Sequence, residues 1–285
     1  MKIPEILAAG KRTLSFEVFP PKTIDKFDSV LLAAEEIASL SPSFMSVTYG
    51  AGGGTSAYTA EIASRLAAFG VTPLAHLTCV SSTRGKVREL LSDLRRRGIE
   101  NILALRGDIP DGFDCNGAEY RYASELVAEI SDFGGFCIGG ACYPEGHPES
   151  RSIDDDIAAL GKKVSLGCEF LTTQMFFDND VFYRFVDRLA MSGVDVPIVA
   201  GIMPITSAMQ VDRMIKFSGN ALPKKLTDLI DRYGNDNSAM RDAGIDYASR
   251  QIEELYEQGC GFAHVYSMNK PFVAREIKKN LQSLI

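Results

Sequence analysis

The stretch TLSFEVFPP, residues 13–21, decides the fold. Its first seven residues are mostly β-branched, aromatic or aliphatic, and they read as a strand. An open, dinucleotide-binding sheet would follow its first strand with a G-x-G-x-x-G turn, where the backbone closes on a pyrophosphate. Here the strand runs into Pro20 and Pro21 instead.

Seven similar runs follow: FMSVTYG (44–50), VTPLAHLTC (71–79), NILALRG (101–107), FCIGGACY (136–143), FLTTQMFF (170–177), PIVAGIM (197–203) and GFAHVYSM (261–268). Between them lie stretches with helical spacing. Phe27, Val30, Leu31, Ala34 and Ile37 form one apolar stripe, and Val87, Leu90, Leu91 and Leu94 another. A third carries Ile157, Leu160 and Val164, with Asp154, Asp155 and Asp156 at its start and Lys162 and Lys163 near its end, the charge order a helix dipole favours. Most strands begin roughly 30 residues after the previous one, one βα unit with its loop. Strands apolar at nearly every position, such as ILALRG and IVAGIM, suit a parallel sheet covered by helices. Eight such units predict a (β/α)8 barrel, the TIM-barrel architecture, with the doubly wound sheet as the alternative. About 57 residues separate the last two strands, room for two or three helices, near 207–217, 223–232 and 240–258. No linker or low-complexity segment divides the chain, so residues 1–285 are expected to form one domain.

The chain has 285 residues, 46% hydrophobic and 24% charged, the composition of a well-cored globular protein. Thirty basic against 37 acidic residues give a net charge of −7, which argues against a nucleic-acid partner. The apolar stretch at the N-terminus is too short for a secretory core, and no segment is long enough to span a bilayer. A cytoplasmic protein with no membrane partner is expected. The cysteines at 79, 115, 137, 142, 168 and 260 show no C-x-x-C or Cys/His spacing, so they are expected as buried thiols and no metal site is predicted.

In such a barrel the active site forms at the carboxyl ends of the strands. Glu17, Thr48, Tyr49, His76, Thr78, Arg106, Gly107, Asp108, Tyr143, Glu145, His147, Thr173, Gln174, Asn269 and Lys270 all fall at or near those ends. Wet loops explain many of them. They do not explain an ionisable group inside an apolar strand. Alternation puts Ser15, Glu17 and Phe19 on one face, so Glu17 is expected to be buried, with a pKa raised toward the range of a general acid. A structural ion pair is the competing account. Asp108 before Pro110 reads equally as a turn former, and His76 as a core histidine. Gln174 needs a ligand or neighbour for its amide. Arg151, Lys162 and Lys163 are either a solvated face or phosphate contacts, and GAGGGTS (50–56) suggests close backbone approach.

Six motifs in order, SFEVFPPK, SVTYGAGG, AHLTC, ALRGD, YPEGHPE and TQMFFD, resemble those of the bacterial methylenetetrahydrofolate reductase family, from about residue 10 to the last helix. The resemblance implies an eight-fold βα barrel with non-covalent FAD at its carboxyl end. It implies that NADH or NADPH delivers hydride through FAD to 5,10-methylenetetrahydrofolate, giving 5-methyltetrahydrofolate. Glu17 would be the acid that opens the five-membered ring, and Asp108 would lie between flavin and pterin. FAD would be held by Thr48, Tyr49, Ala51, His76, Arg106, Gly107, Asp108, Tyr122, Ala123, Tyr143, His147, Asp156, Lys162 and Lys163. Gln174, Gln210 and Lys270 would contact the folate, with Lys270 where an Arg is usual. Ala159 stands in place of an Asn, and Lys162 where Arg is familiar. The resemblance also implies a homo-oligomer, and some relatives take electrons from ferredoxin or a partner subunit. Ending at the barrel, the chain carries no expectation of control by S-adenosylmethionine.

Overall fold

Eight strands close on themselves. In the computed structural model, which describes residues 1–49, 56–109, 112–113, 117–211 and 222–285, every neighbouring pair is parallel and β1 (Thr13–Val18) pairs with both β2 (Met45–Val47) and β8 (Phe262–Tyr266). Between them come β3 (Pro73–Thr78), β4 (Asn101–Leu105), β5 (Cys137–Cys142), β6 (Phe170–Thr173) and β7 (Ile198–Ile202). The expected barrel is the observed one.

The helices are α1 (Ile3–Leu7), α2 (Phe27–Ala38), α3 (Ser56–Ala68), α4 (Arg84–Arg96), α5 (Ala123–Phe133), α6 (Ile153–Ser165), α7 (Asn179–Met191), α8 (Lys224–Tyr233), α9 (Asn237–Glu257) and α10 (Pro271–Asn280). Local chemistry starts them. Thr83, Ser152 and Asp178 each cap a helix by accepting a backbone N–H, and α6 carries its three aspartates in the first turn and both lysines in the last. The long interval before β8 holds α8 and α9, and residues 208–211 are also helical.

Alternation sorts each strand's side chains. Leu14, Phe16 and Val18 join the main core with helix residues such as Ala34 and Ile37. The opposite face fills the barrel. At the amino end, α1 plugs the barrel: Ile3 and Leu7 pack with Phe44, Leu74, Leu103, Cys137, Phe170 and Val199. Asn101 fastens the plug by accepting the Ile3 N–H at 2.9 Å and donating to the carbonyl oxygens of Met1 and Pro73. Gly139 on β5 leaves room for the Phe170 ring, which a Cβ there would overlap.

The strands stop short of their apolar runs. FLTTQMFF leaves the ladder after Thr173, yet Met175 and Phe177 stay buried, because they pack against Leu226 of α8 and Met240 of α9 in a second cluster. That cluster joins the β7–β8 excursion to the barrel. Cys79, Cys137, Cys142 and Cys168 are buried free thiols and Cys260 is partly buried; Cys115 lies outside the described residues. No helix among the described residues is long and apolar enough to cross a membrane.

Candidate active site

Glu17 sits one residue before the carboxyl end of β1, in register with Ser46 of β2 and Tyr266 of β8. Its carboxyl reaches across the interior toward β3, where His76 Nε2 stands 3.6 Å from Oε2. Burial pushes the Glu17 pKa up to about 8, against a smaller opposing pull from the Ser46 hydroxyl. Burial also pushes His76 down to about 3. Both groups are therefore neutral near pH 7, and the structural ion pair that was the competing account does not form. His76 Nε2 has no hydrogen-bond partner among the described residues.

A polar chain continues below the acid. His264 of β8 bonds Ser15 Oγ through Nδ1 at 2.7 Å and Ser46 Oγ through Nε2 at 2.9 Å, and burial holds it neutral, with a pKa near 3. Ser15 donates its hydroxyl proton to the Ala263 carbonyl at 3.0 Å, so His264 Nδ1 must carry the imidazole proton. His264 Nε2 then accepts from Ser46. The Ser46–Glu17 contact, at 3.5 Å, is the longer of the two open to that hydroxyl, so its proton goes chiefly to His264 and its pull on the Glu17 carboxyl stays small.

Around the mouth, Thr48 and Tyr49 follow β2, and Thr48 presents its carbonyl to the Thr59 hydroxyl. Arg106 after β4 forks onto Glu149, with Nη1 and Nη2 at 2.5 and 2.7 Å from its oxygens. That hydrogen bonding raises the Arg106 pKa above its ordinary value and lowers that of Glu149. Gly107 has a φ of 85°, and a Cβ there would meet Thr78 at 2.9 Å, so only glycine lets the chain turn so close to β3. Asp108 follows, exposed, and its charge acts on Arg106 and Tyr143.

His147 stacks edge-on against Tyr143, with ring centroids 4.7 Å apart. The Glu149 N–H donates to His147 Nδ1, which leaves Nε2 as the protonated nitrogen of the neutral ring. Burial lowers its pKa. Asp156 accepts the His147 N–H at 3.1 Å and so fixes this loop from α6. Lys163 is turned onto the Ala141 carbonyl at 2.8 Å, and burial lowers its pKa, while Lys162 is exposed. Tyr122, 63% exposed, and Ala123 begin α5. Ala51 lies outside the described residues, as do Pro110 and the glycine run 50–55.

Two glutamines show one design. Gln174 follows β6, and its Oε1 accepts the Met175 N–H at 3.0 Å. Gln210 lies on the helical turn after β7, and its Oε1 accepts both the N–H and the hydroxyl of Thr206, at 2.9 and 3.0 Å. Lys270, at the start of α10, donates to Thr206 Oγ1 at 2.7 Å. Sequence reading passed over Ser46, His264, Tyr266, Thr206 and Glu149. His264 carried the same signal as Glu17, an ionisable group inside an apolar strand.

The geometry defines a (β/α)8 barrel with a largely buried carboxylic acid, its side chain 16% exposed, at the carboxyl-end mouth. The family model described as methylenetetrahydrofolate reductase matches residues 2–282, and the chain belongs to that family. It is 33% identical over 262 residues to the 5,10-methylenetetrahydrofolate reductase of Escherichia coli, covering 92% of this chain and 88% of that protein. It is 35% identical over 298 residues to methylenetetrahydrofolate reductase (NADH) 1 of Arabidopsis thaliana, covering 98% of this chain. This chain spans about half the length of the plant relatives, 50% of the Arabidopsis protein. Among solved structures, an uncharacterized Clostridium thermocellum protein that binds two copies of 5-methyl-5,6,7,8-tetrahydrofolic acid superposes with a TM-score of 0.66, covering 100% of both chains at 16% identity, a likeness of fold.

Proposed function

We propose that this chain, as one catalytic domain, reduces 5,10-methylenetetrahydrofolate to 5-methyltetrahydrofolate, with non-covalent FAD at the mouth and NADH or NADPH as hydride source. One observation carries the reading: in a chain of this family, a carboxylic acid with a pKa near 8 lies at the barrel's carboxyl end. Such a group holds its proton at neutral pH and can give it to a substrate nitrogen.

The residues at the mouth fit a flavin. His76 Nε2 is a buried nitrogen lacking a partner among the described residues, and Gly107 permits close backbone approach. Arg106, the Nε2–H of His147 and Lys162 suit a pyrophosphate. Thr48, Tyr49, Tyr122, Ala123, Tyr143 and Asp156 would complete the cradle, and Lys163 would join it by releasing the Ala141 carbonyl. The chemistry supplied by FAD there is hydride carriage between nicotinamide and folate.

The chain's own residues do the remainder. Glu17 protonates the folate as its five-membered ring opens to the iminium. Asp108 accepts from the pterin and places negative charge beside it. Gln174 and Gln210 orient the substrate through their amide N–H groups, and Lys270 meets the carboxylate tail.

The test is direct. Purified protein should be yellow, and heat should release FAD identifiable by mass. Anaerobic NADH or NADPH should bleach it, and 5,10-methylenetetrahydrofolate should restore the colour with formation of 5-methyltetrahydrofolate. Release of FMN, or a bleached protein that folate leaves unchanged, overturns the reading.

A further inference from the structure

Lys270 and Gln210 lie on different loops, one opening α10 and one following β7, and a single buried hydroxyl joins them. Lys270 Nζ donates to Thr206 Oγ1 at 2.7 Å, and Thr206 Oγ1 and N both lie within 3.0 Å of Gln210 Oε1. Thr206 is 8% exposed.

The proton positions follow from the two ends of this chain. An ammonium can only donate, so Thr206 Oγ1 accepts from Lys270 and must send its own proton elsewhere. A backbone N–H can only donate, so the Gln210 atom facing Thr206 N is the oxygen. The hydroxyl proton then completes the chain at that same oxygen. Gln210 Oε1 is thus doubly occupied, and its NH2 group, turned away from Thr206, donates to none of the described residues. Gln174 is fixed in the same sense by the Met175 N–H. Lys270 keeps donors beyond the one given to Thr206, and no carboxylate among the described residues forms an ion pair with it.

We propose that Thr206 is a positioning residue of the substrate site: it locks Gln210 as an outward donor and aims the Lys270 ammonium, so the two together select a ligand with an acceptor atom on its ring system and a carboxylate on its tail. This rests on the folate reading given above. Thr206 touches no substrate itself. It acts by ordering two long side chains before the ligand arrives, which removes an entropic cost from binding.

The experiment is calorimetric titration of the holoenzyme with 5-methyltetrahydrofolate monoglutamate. Thr206→Val keeps the branched shape, cannot accept from Lys270 or donate to Gln210, and should weaken binding about tenfold, the loss expected when two hydrogen bonds go. Thr206→Ser should recover binding to within about threefold. In a double-mutant cycle with Lys270→Met, the two losses should be markedly non-additive, because one residue works through the other. Gln210→Glu can still accept from Thr206 but offers no donor outward, and it should lose at least tenfold; this variant tests donor polarity even if Thr206→Val fails to fold. Wild-type affinity in Thr206→Val or Gln210→Glu, or additive losses in the cycle, overturns the proposal. A wild-type holoenzyme that does not bind this ligand rejects the folate reading beneath it.

Discussion

Glu17 and His76 face each other at 3.6 Å without forming an ion pair, because the same burial moves their pKa values in opposite directions, to about 8 and about 3. A buried charged pair would need further hydrogen bonds to repay its desolvation. Here Ser46 is committed to His264, and His76 Nε2 lacks a bonded partner among the described residues. The neutral pair costs less, and it leaves an acid with its proton at the carboxyl end of the barrel.

Stability should therefore depend on pH in a defined way. Glu17 binds its proton more tightly folded than unfolded, so its contribution is full below the unfolded pKa near 4.5 and is lost as pH rises through about 8. His76 and His264 behave oppositely. Their neutral folded forms are favoured above the unfolded pKa of 6.5, and that stability is lost as pH falls toward 3. The melting temperature should peak near pH 6.5 and decline toward pH 8, the unfolding free energy falling by up to about 1.4 kcal/mol per pH unit. Glu17→Gln should flatten the alkaline side alone. An unchanged alkaline slope in that variant contradicts a proton held at Glu17.

The barrel was legible because βα spacing and doubly apolar strands are local properties of the sequence. Strand ends were not, since Met175 and Phe177 remain apolar past the ladder to meet α8 and α9, a contact between distant segments. Glu17 stood out as an ionisable group among large apolar neighbours. Ser46 and Thr206 gave no such signal, because a hydroxyl in a strand or loop is ordinary until the fold supplies its partner. For Thr206 that partner, Lys270, is 64 residues away. Lys163 shows the opposite limit: its position on α6 was legible, but its turn onto the Ala141 carbonyl depends on β5 beneath it.

Gly201 on β7 makes room for Tyr266, whose hydroxyl crosses to donate to the Thr173 carbonyl at 2.6 Å. A Cβ at Gly201 would overlap that carbonyl oxygen and lie 2.5 Å from Tyr266 Oη. Gly201→Ala should destabilise the protein by about 1–3 kcal/mol, as overpacked cores do. Thermal denaturation measures this. Because Tyr266 is in register with Glu17, folate turnover should fall as well, and a variant with native stability would mean that Tyr266 has another rotamer open to it.

The Arg106–Glu149 fork bears on the proposed flavin site. If Arg106 contacts the pyrophosphate, Glu149 competes with the phosphate for the same N–H groups. Glu149→Gln weakens the competitor and should tighten FAD up to about fivefold, the worth of an exposed ion pair, whereas Arg106→Met should loosen FAD. Fluorescence titration of the apoprotein with FAD decides it. Equal affinities in all three proteins would remove Arg106 from the flavin site.

Glu17→Gln separates chemistry from architecture. The amide keeps the shape of a protonated carboxyl and its oxygen can still face the Ser46 hydroxyl, so the neutral network around His264 should persist and the melting temperature at pH 6.5 should change little. What the amide cannot do is transfer a proton. On the proposed route, flavin reduction by nicotinamide requires none from Glu17, and that half-reaction should proceed at nearly the native rate. Folate reduction should fall by at least about 100-fold, the ordinary cost of losing a general acid, or about 2.7 kcal/mol of barrier. Stopped-flow measurement of each half-reaction on the same preparation gives the comparison. If both halves slow equally and the protein melts several degrees lower, Glu17 is part of the barrel's framework, and the acid must be sought elsewhere at the mouth.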